Sequence, residues 1–366
     1  MTAKPAGGLI RIVDAAIGET REALVDKDRV LALRLYRASD EGRRARWGEV
    51  YSARVRSVDQ SRRGAFLDLG LKEQHGFLPL DVRGQARTDG RKPRALKEGE
   101  GVVIAVSREG ARGKNPIVRL LDEPHPGGAP QRLEEPEIAA EIKEARPAEP
   151  AQRALIDAAI DEALARTAPI PGGGALSIEP TAALIAVDVD AGGRAGSKDP
   201  EKFALDLNAA AARETARQVR LRSLGGLIAI DFVSMRSNAA KQQLVAEVKR
   251  AFSADPWGVR LGQLSAFGVF ELSRAQLTAP LHEILREADG RPTVETAALE
   301  TLRAVEREVR VARGRMVNAF VAPEVMAWLD SAVIPWREQL SSRVGLMWAI
   351  KAAPGQPRDK LDVRAL

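Results

Sequence analysis

Three aspartates have side chains and positions in the sequence that could support metal binding and catalysis. Asp188 ends a short apolar run over 184–187, Asp231 ends a second run over 227–230, and Asp190 follows Asp188 by two positions. Apolar runs of this length, bounded by glycine and polar residues, are typical of buried strands. Clustered carboxylates can hold a hard dication such as Mg²⁺. The simpler interpretation, that acids end strands because strand ends face water, stays open on these residues alone.

The segment between the two runs predicts one long helix over 200–222. Pro200 suits a first helical turn, and Gly225-Gly226 lies where a C-cap glycine is expected. A packing stripe recurs every four residues and comprises Phe203, Leu207, Ala211, Thr215 and Val219. Strand, helix and strand form a βαβ unit, whose strands are parallel and adjacent or nearly so. Both aspartates should therefore reach the sheet edge where open α/β sheets bind ligands.

Arginines on the same helix offer a second possibility. Arg213, Arg217 and Arg220 share one side of it. Such a row is usually a solvated face, but beside an acidic metal-binding edge it could hold phosphates.

The amino-acid composition limits the kinds of functional site and partner that this protein can have. The 366 residues include no cysteine and only three histidines, which excludes a disulfide framework, excludes cysteine-bound zinc and argues against a histidine-centred site. The net charge is +6, and residues 43–119 hold 18 Lys and Arg against nine Asp and Glu, which favours nucleic acid as partner. No apolar run is long enough to span a bilayer, so we expect no membrane partner and a cytoplasmic location.

Residues 45–121 predict a small β-barrel of the OB type. Five short strands with glycine-rich turns suit that fold, which commonly binds oligonucleotides. Phe66, Phe77 and Lys114 lie among basic residues, as in proteins that stack single-stranded bases on aromatics and follow phosphates with cations. The alternative is that both phenylalanines are barrel core. Because Phe66 alternates with Leu67, one of these two side chains must face outward.

The whole chain is predicted to be a multi-domain α+β protein. The segment 122–150 holds eight acids, three bases and six prolines, which predicts a solvated linker with one short helix over 134–145. A helix over 324–340 is expected near the C-terminus, followed by a loosely held tail from 354. The expected parts are an N-terminal strand and hairpin segment (1–44), the barrel (45–121), the linker (122–150), an α/β core carrying the aspartates (151–290) and a small α+β domain (291–366).

Several segments resemble one known family. LRSLGGLIAIDFVSM, VRLGQLSAFGVFELSRAQL and ALIAVDVDAG resemble the catalytic core of the ribonuclease E/G family. RRGAFLDLGLKEQHGFLPL resembles its S1 domain, and ETAALETLRAVEREVRVARGRMVNAFVAPEVMAWL resembles its small C-terminal domain. The resemblance implies an S1 (OB-type) barrel, a nuclease core of DNase-I-like type and a small α+β domain.

The resemblance also implies a function. Family members are Mg²⁺-dependent endoribonucleases that cut single-stranded, often A/U-rich RNA. For this chain we therefore expect hydrolysis by a metal-activated water that leaves 5′-phosphate ends. The resemblance places metal-binding aspartates at Asp188 and Asp231, and a neighbouring catalytic asparagine at the position of Asp190. RNA contacts of the S1 domain fall on Phe66, Phe77 and Lys114.

The chain departs from the family pattern in three ways. Only the short linker stands where the family has a long region with an RNase-H-like part and a 5′-monophosphate pocket, so we expect no 5′-end sensor. Without cysteine there is no zinc-linked dimer, and the oligomeric state is open. Aspartate instead of asparagine at Asp190 adds a negative charge beside the metal, which can tighten metal binding or raise a carboxylate pKa.

Two other functions remain open. One is a non-catalytic S1-type RNA-binding protein with a degenerate nuclease core, and the weaker one is a Mg²⁺-dependent phosphatase or DNase.

Overall fold

A computed structural model describes residues 8–87, 93–110, 114–134, 145–193, 199–312, 314–332 and 334–366. The strands in chain order are β1 (Leu9–Ala16), β2 (Glu19–Asp26), β3 (Arg29–Arg37), β4 (Val50–Asp59), β5 (Gly64–Asp68), β6 (His75–Pro79), β7 (Gly101–Arg108), β8 (Ile117–Leu120), β9 (Gln131–Glu134), β10 (Ala145–Pro147), β11 (Thr167–Pro169), β12 (Ala175–Pro180), β13 (Ile185–Asp190), β14 (Gly226–Asp231), β15 (Val259–Leu264), β16 (Val269–Arg274), β17 (Val317–Val321), β18 (Trp348–Ala352) and β19 (Asp362–Ala365). The helices are α1 (Pro150–Leu164), α2 (Pro200–Leu221), α3 (Asn238–Phe252), α4 (Leu281–Leu285), α5 (Val294–Ala312), α6 (Pro323–Ser331) and α7 (Trp336–Val344). None of the helices in these ranges has the length and apolar character needed to cross a membrane.

The elements form a mixed α+β protein with several sheets. The strands β4 to β8 make a closed five-stranded barrel, since β5 pairs with both β4 and β6. A six-stranded sheet has the order β11-β12-β13-β14-β16-β15, and a three-stranded sheet has the order β18-β17-β19. This arrangement confirms the predicted mixture of helices and strands and the five barrel strands.

The six-stranded sheet contains the predicted strand, helix and strand. β13 and β14 are adjacent and parallel, and α2 connects them. Side chains that alternate along each strand, such as Val187 and Ile230, point to one face and form a core with α2 and α3. The predicted stripe on α2 faces this core, with Leu207, Ala211 and Val219 buried.

The end of α2 differs from the prediction of a glycine cap. Ser223 occupies the left-handed conformation with φ +55°, and the Leu224 N–H donates to the Val219 carbonyl at 2.8 Å, as in a Schellman motif. Gly225 is needed for another reason, because a Cβ at this position would lie 2.7 Å from the Ala275 carbonyl oxygen. Close backbone approach, and not helix capping, therefore accounts for this glycine.

The helix α2 is buried on its second side as well. β1, β2 and β3 form an antiparallel sheet, and their apolar side chains share a core with α1 and with Leu221 of α2. Arg217 of α2 donates to Glu214 at 3.0 Å and to the Val30 carbonyl of β3 at 2.9 Å. One helix thus connects the sheet that carries the aspartates to the N-terminal sheet.

The predicted linker is ordered at both ends. β9 pairs with β4 of the barrel, and β10 pairs in parallel with β1 of the N-terminal sheet. The helix predicted over 134–145 lies almost wholly outside the described residues, and its two end residues belong to β9 and β10. The division into five parts stays a prediction, although α1 packs with the N-terminal sheet.

The C-terminal unit corrects two expectations. The helix predicted over 324–340 is two helices, α6, which ends at Ser331, and α7, which begins at Trp336. Pro335 lies in the sequence between them, and proline interrupts a helix and disfavours a helical residue before it. The tail predicted to be loose forms β19, which pairs antiparallel with β17 from Phe320↔Asp362 to Val317↔Ala365. Backbone pairing therefore fixes the end of the described chain.

A buried ion pair stabilises the far end of the six-stranded sheet. Arg274 Nε donates to Asp255 Oδ2 at 2.8 Å, and the two side chains are only 1% and 2% exposed. The Arg274 guanidinium also lies 4.0 Å from the centre of the Trp257 ring, and burial lowers its pKa. Asp255 Oδ1 also accepts the Trp257 N–H at 2.9 Å.

We predict that Asp255→Ala lowers the free energy of unfolding by about 3–5 kcal/mol, because it leaves the Arg274 charge buried without its partner. Urea unfolding followed by circular dichroism measures the loss. The control is Glu247→Ala in the exposed Arg213–Glu247 pair, for which we expect no more than about 1 kcal/mol. Equal losses in the two variants would contradict a structural role for the buried pair.

Candidate active site

The two principal aspartates lie side by side. Asp188 of β13 is the register partner of Asp231 of β14, and neighbouring strands are about 4.8 Å apart. The same row continues to Ser177 of β12 and Val269 of β16. Both carboxylates are exposed, and within the described ranges neither has a hydrogen-bond or ion-pair partner. The sequence prediction that these residues come together is confirmed.

The face of the sheet from which the two aspartates project decides what can reach them. Asp188 and Asp231 project from the face opposite α2 and α3, since Val187, Val189 and Ile230 project into the helix-covered core. The pair therefore lies on the open face, near the carboxyl ends of the parallel strands. A polymer substrate can reach this face without displacing a helix.

Asp190 is on the same face but is directed differently. It lies two residues beyond Asp188, is exposed, and has Ala175 as its register partner. Its Oδ1 accepts the Gly192 N–H at 2.9 Å, which holds the carboxylate against its own turn. Among the described residues, no group of three or more His, Asp or Glu side chains is close enough to hold one metal ion. The site is thus a pair of carboxylates with a third nearby.

Two side chains of α2 position the chain that follows Asp231. Asn208 is fully buried, donates to the Val233 carbonyl at 2.8 Å and accepts the Val233 N–H at 2.9 Å. Glu201 accepts the Ser237 N–H at 2.7 Å, at the start of α3. Sequence reasoning missed both residues; the signal in Asn208 was an amide within an apolar helical stripe.

The arginines of α2 do not serve the site. Arg217 is buried against the N-terminal sheet, and Arg213 pairs with Glu247 of α3 at 3.2 Å. Burial lowers the pKa of Arg220, whose Nε donates to the Ala216 carbonyl of its own helix. Since α2 covers the opposite face of the sheet, the possibility that these arginines hold phosphates beside the aspartates is wrong.

The donor set fits a magnesium ion. Mg²⁺ prefers oxygen ligands and commonly uses one or two carboxylates while it keeps several waters. Asp188 and Asp231 supply two carboxylates at neighbouring register positions, and their exposure leaves room for water and a phosphate. A zinc site is a poor fit, since nitrogen and sulfur ligands are missing from this pair.

The barrel presents its two phenylalanines outward. Leu67 and Leu78 are in the barrel core, whereas Phe66 and Phe77 alternate with them and are half-buried on the outer surface. They are cross-strand partners with ring centres 5.4 Å apart at an angle of 62°. The interpretation as barrel core is therefore wrong, and the outward orientation suits base stacking.

The absence of a side chain at Gly64 explains part of this arrangement. A Cβ at Gly64 would collide with the Phe77 ring, so only glycine lets the ring approach β5 this closely. Arg62 lies 5.9 Å from the Phe66 ring centre, and Arg56 of β4 lies 2.8 Å from His75 Nε2. The outer face of β4 to β6 therefore combines aromatic rings with positive charge.

The third predicted contact residue, Lys114, lies between β7 and β8 of the barrel. Lys114 is exposed, and its carbonyl lies 2.5 Å from the position of a Cβ on Gly110. Glu109, which precedes Gly110, donates its backbone N–H to the Leu277 carbonyl. Its carboxylate accepts the Ala279 N–H at 3.2 Å. Burial raises the pKa of this carboxyl. Lys114 thus lies close to a contact between the barrel and the segment that follows β16.

We predict that Asn208→Ala lowers the free energy of unfolding by about 1–3 kcal/mol, because the Val233 N–H and carbonyl lose their buried partners. Hydrogen exchange of the Val233 amide should also become faster. Asn238→Ala, at an exposed position on α3, is the matched control and should have little effect. Unchanged protection of Val233 in Asn208→Ala would refute the proposed role of Asn208.

Comparison with known proteins identifies a family and several relatives of this chain. The model of the Ribonuclease E/G family matches residues 90–277, just over half of the chain. Ribonuclease E of Escherichia coli (strain K12) is 33% identical over 181 residues, which are 48% of this chain and 17% of that protein. The Ribonuclease E/G-like protein, chloroplastic, of Arabidopsis thaliana is 35% identical over 161 residues, which are 42% of this chain and 16% of that protein.

A third relative gives the same result. Ribonuclease E of Nostoc sp. (strain PCC 7120) is 37% identical over 129 residues, which are 35% of this chain and 19% of that protein. In all three relatives the match thus spans less than a fifth of the relative's length. On the strength of the family match over half its length, the chain belongs to the ribonuclease E/G family.

Proposed function

We propose that this protein is a Mg²⁺-dependent endoribonuclease that cleaves single-stranded RNA by hydrolysis. The observation that carries the proposal is the register pair Asp188 and Asp231, which is exposed on the open face of the sheet and has no partner among the residues that the structure describes. Family membership supports the same activity, since the relatives are named as ribonucleases. The products would be 5′-phosphate and 3′-hydroxyl ends.

The aspartates have distinct roles in this proposal. Asp188 and Asp231 hold the metal ion, which when bound polarises a phosphoryl oxygen and lowers the pKa of water. Asp190 accepts a hydrogen bond from the attacking water and orients it, for which its carboxylate would leave the Gly192 N–H. Asn208 and Glu201 hold the chain after Asp231, so that the carboxylate pair keeps its spacing.

The barrel would act as the RNA grip. We propose that it is an S1 domain of the OB type, in which Phe66 and Phe77 stack bases while Lys114 contacts a phosphate. The α/β core is proposed to be DNase-I-like, because a helix-covered sheet carries paired carboxylates on its open face. A cytoplasmic location and a 5′-end-independent cleavage also stay proposals.

A second function is favoured by one observation. The described residues hold no three-carboxylate metal cluster, and Asp190 is tied to Gly192. A core with too few converging ligands would leave the barrel as the working part, and the protein would bind RNA without cutting it. This alternative requires RNA affinity that is independent of Mg²⁺ and no turnover.

We predict that Asp188→Asn and Asp231→Asn each reduce cleavage by about a thousandfold or more, because loss of the metal removes several kcal/mol of transition-state stabilisation. A 5′-labelled, A/U-rich single-stranded RNA, incubated with Mg²⁺ or with EDTA, measures this. Asp206→Asn, an exposed carboxylate on α2, is the control and should cleave normally. Cleavage that persists in EDTA would exclude the metal mechanism, and binding without cleavage by the unaltered protein would favour the second function.

We also predict that Phe66→Ala weakens RNA binding by about 1–3 kcal/mol through lost stacking. Lys114→Ala should make the dependence of log affinity on log salt concentration shallower by about 0.7, the value for one phosphate of a single strand. Fluorescence anisotropy with a labelled RNA in EDTA measures both effects separately from cleavage. Val82→Ala, at a highly exposed position in the loop after β6, is the control for an apolar substitution on the barrel surface. Full affinity in Phe66→Ala would contradict the proposal that RNA binds to this face of the barrel.

A further inference from the structure

The aspartate pair is part of a longer register row that crosses five strands of the six-stranded sheet. On one side of the pair, Ser177 of β12 is the partner of Asp188, and Thr167 of β11 is the partner of Ser177. On the other side, Val269 of β16 is the partner of Asp231. The row is about 19 Å long, because neighbouring strands are about 4.8 Å apart. It therefore extends beyond the two carboxylates in both directions.

The half of the row on β11 and β12 carries two hydroxyl groups on the open face of the sheet. Ala168 and Leu176, which alternate with Thr167 and Ser177, are fully buried on the other face. Thr167 is exposed and Ser177 is half-buried. Neither hydroxyl has a hydrogen-bond partner within the described part of the chain. Both are therefore available to a ligand that reaches the aspartates from this face.

The charges on the open face distinguish a path across the strands from a path along them. Two residues further along the strands lies a second row, which comprises Glu179, Ala186, Ala229 and Glu271. Both glutamates in it are exposed, and Asp190 lies on the opposite side of the aspartate pair. An RNA strand that ran along β13 and β14 would bring its phosphates beside these carboxylates, and like charges repel. A strand that crosses the sheet finds uncharged side chains at the row positions on either side of the pair.

An exposed aromatic ring lies near the apolar end of the row. Phe267 is 92% exposed, in the turn between β15 and β16. It precedes Val269 by two residues, so its Cα lies within about 12 Å of the Asp231 Cα. Ser265 Oγ accepts the N–H groups of Phe267 and Val269, which holds the turn in shape. An exposed ring in a fixed turn at this distance is suited to stack on a base next to the aspartate pair.

We propose that single-stranded RNA crosses the sheet along this row, with the scissile phosphate over Asp188 and Asp231. The hydroxyls of Ser177 and Thr167 form hydrogen bonds with ribose 2′-hydroxyls on one side of that phosphate, and Phe267 stacks on a base on the other side. The proposal rests on the proposed function, because it specifies how the substrate lies on the same site. Since the 2′-hydroxyl distinguishes RNA from DNA, the two hydroxyl residues contribute to the preference for RNA.

The test is nucleic-acid binding by the 366-residue protein in a Ca²⁺ buffer. Ca²⁺ replaces Mg²⁺ because both cations prefer oxygen ligands, and the scissile phosphate needs a cation between itself and the carboxylates. Fluorescence anisotropy measures the affinity for a labelled, A/U-rich single-stranded RNA. It also measures the affinity for the 2′-deoxy strand of the same sequence, with deoxyuridine in place of uridine. Binding is thus recorded separately from cleavage.

The variant Ser177→Ala/Thr167→Val removes both hydroxyls and no charge. It should weaken RNA binding about 5- to 150-fold, the loss expected for two hydrogen bonds, and leave the affinity for the deoxy strand unchanged. Ser273→Ala is the matched control, because it removes an exposed hydroxyl from the same face, four residues along β16 from Val269. An equal loss for both strands would overturn the contact with the 2′-hydroxyl, since a phosphate contact or a folding defect affects RNA and DNA alike.

Phe267→Ala tests the aromatic contact separately. It should weaken the binding of both strands about 5- to 150-fold, because stacking does not need a 2′-hydroxyl. Phe267→Trp should restore the affinity. Leu346→Ala, at a 77% exposed position in the C-terminal unit, is the control for the loss of an exposed apolar side chain. The melting temperature checks that each variant is folded.

The outcomes distinguish the proposed RNA path from the proposed enzyme. Full affinity for RNA in the double hydroxyl variant and in Phe267→Ala would overturn the path, even if the protein cleaves RNA in Mg²⁺. The expected losses in a protein that never cleaves would support the path and refute the nuclease. Absence of any RNA binding would refute both.

Discussion

The parallel pairing of β13 with β14 is the constraint on which the candidate site depends. It places Asp188 and Asp231 at the same register position although 42 residues separate them in the chain. The pairing needs a crossover, and α2 provides it while it covers one face of the sheet. Because that face is filled by apolar side chains, the carboxylates have only the open face available. One topological requirement therefore sets their spacing, their exposure and the side from which a substrate approaches.

The charged residues of this protein fall into two physical classes. Asp255 and Arg274 are buried and satisfied by each other, so their energies concern folding. Asp188 and Asp231 are exposed and have no partner in the described ranges, so their charges are free to interact with a ligand. The sequence shows all of these as ordinary ionisable residues. Burial and pairing are what separate a structural aspartate from a candidate metal ligand.

Much of the fold follows from local pattern, and the remainder depends on distant contacts. Alternation and glycine-bounded runs predicted the barrel strands and the β13–α2–β14 unit, because each signal lies within the element itself. The pairing of β10 with β1, and of β19 with β17, joins residues far apart in sequence and could not be read from local pattern. The left-handed Ser223 is a similar case, since serine has no intrinsic preference for that conformation.

The candidate site shows the same division. The aspartates were predictable because they end apolar runs, but the residue that fixes their neighbourhood was not. Asn208 acts through two hydrogen bonds to Val233, which lies 25 positions away on another element. The direction of Phe66 was likewise undetermined until the barrel closed, since alternation gives two faces without saying which is inside. Sequence pattern finds candidate chemistry, and tertiary contacts decide its geometry.

The two short strands on either side of residues 135–144 affect where the chain can tolerate insertions. β9 is bonded to the barrel and β10 to the N-terminal sheet, so both ends of the intervening segment are fixed independently of what lies between them. Closing a longer loop costs only about 0.6 kcal/mol for each doubling of its length. We therefore expect this position to tolerate the insertion or deletion of a whole additional module while both sheets keep their register.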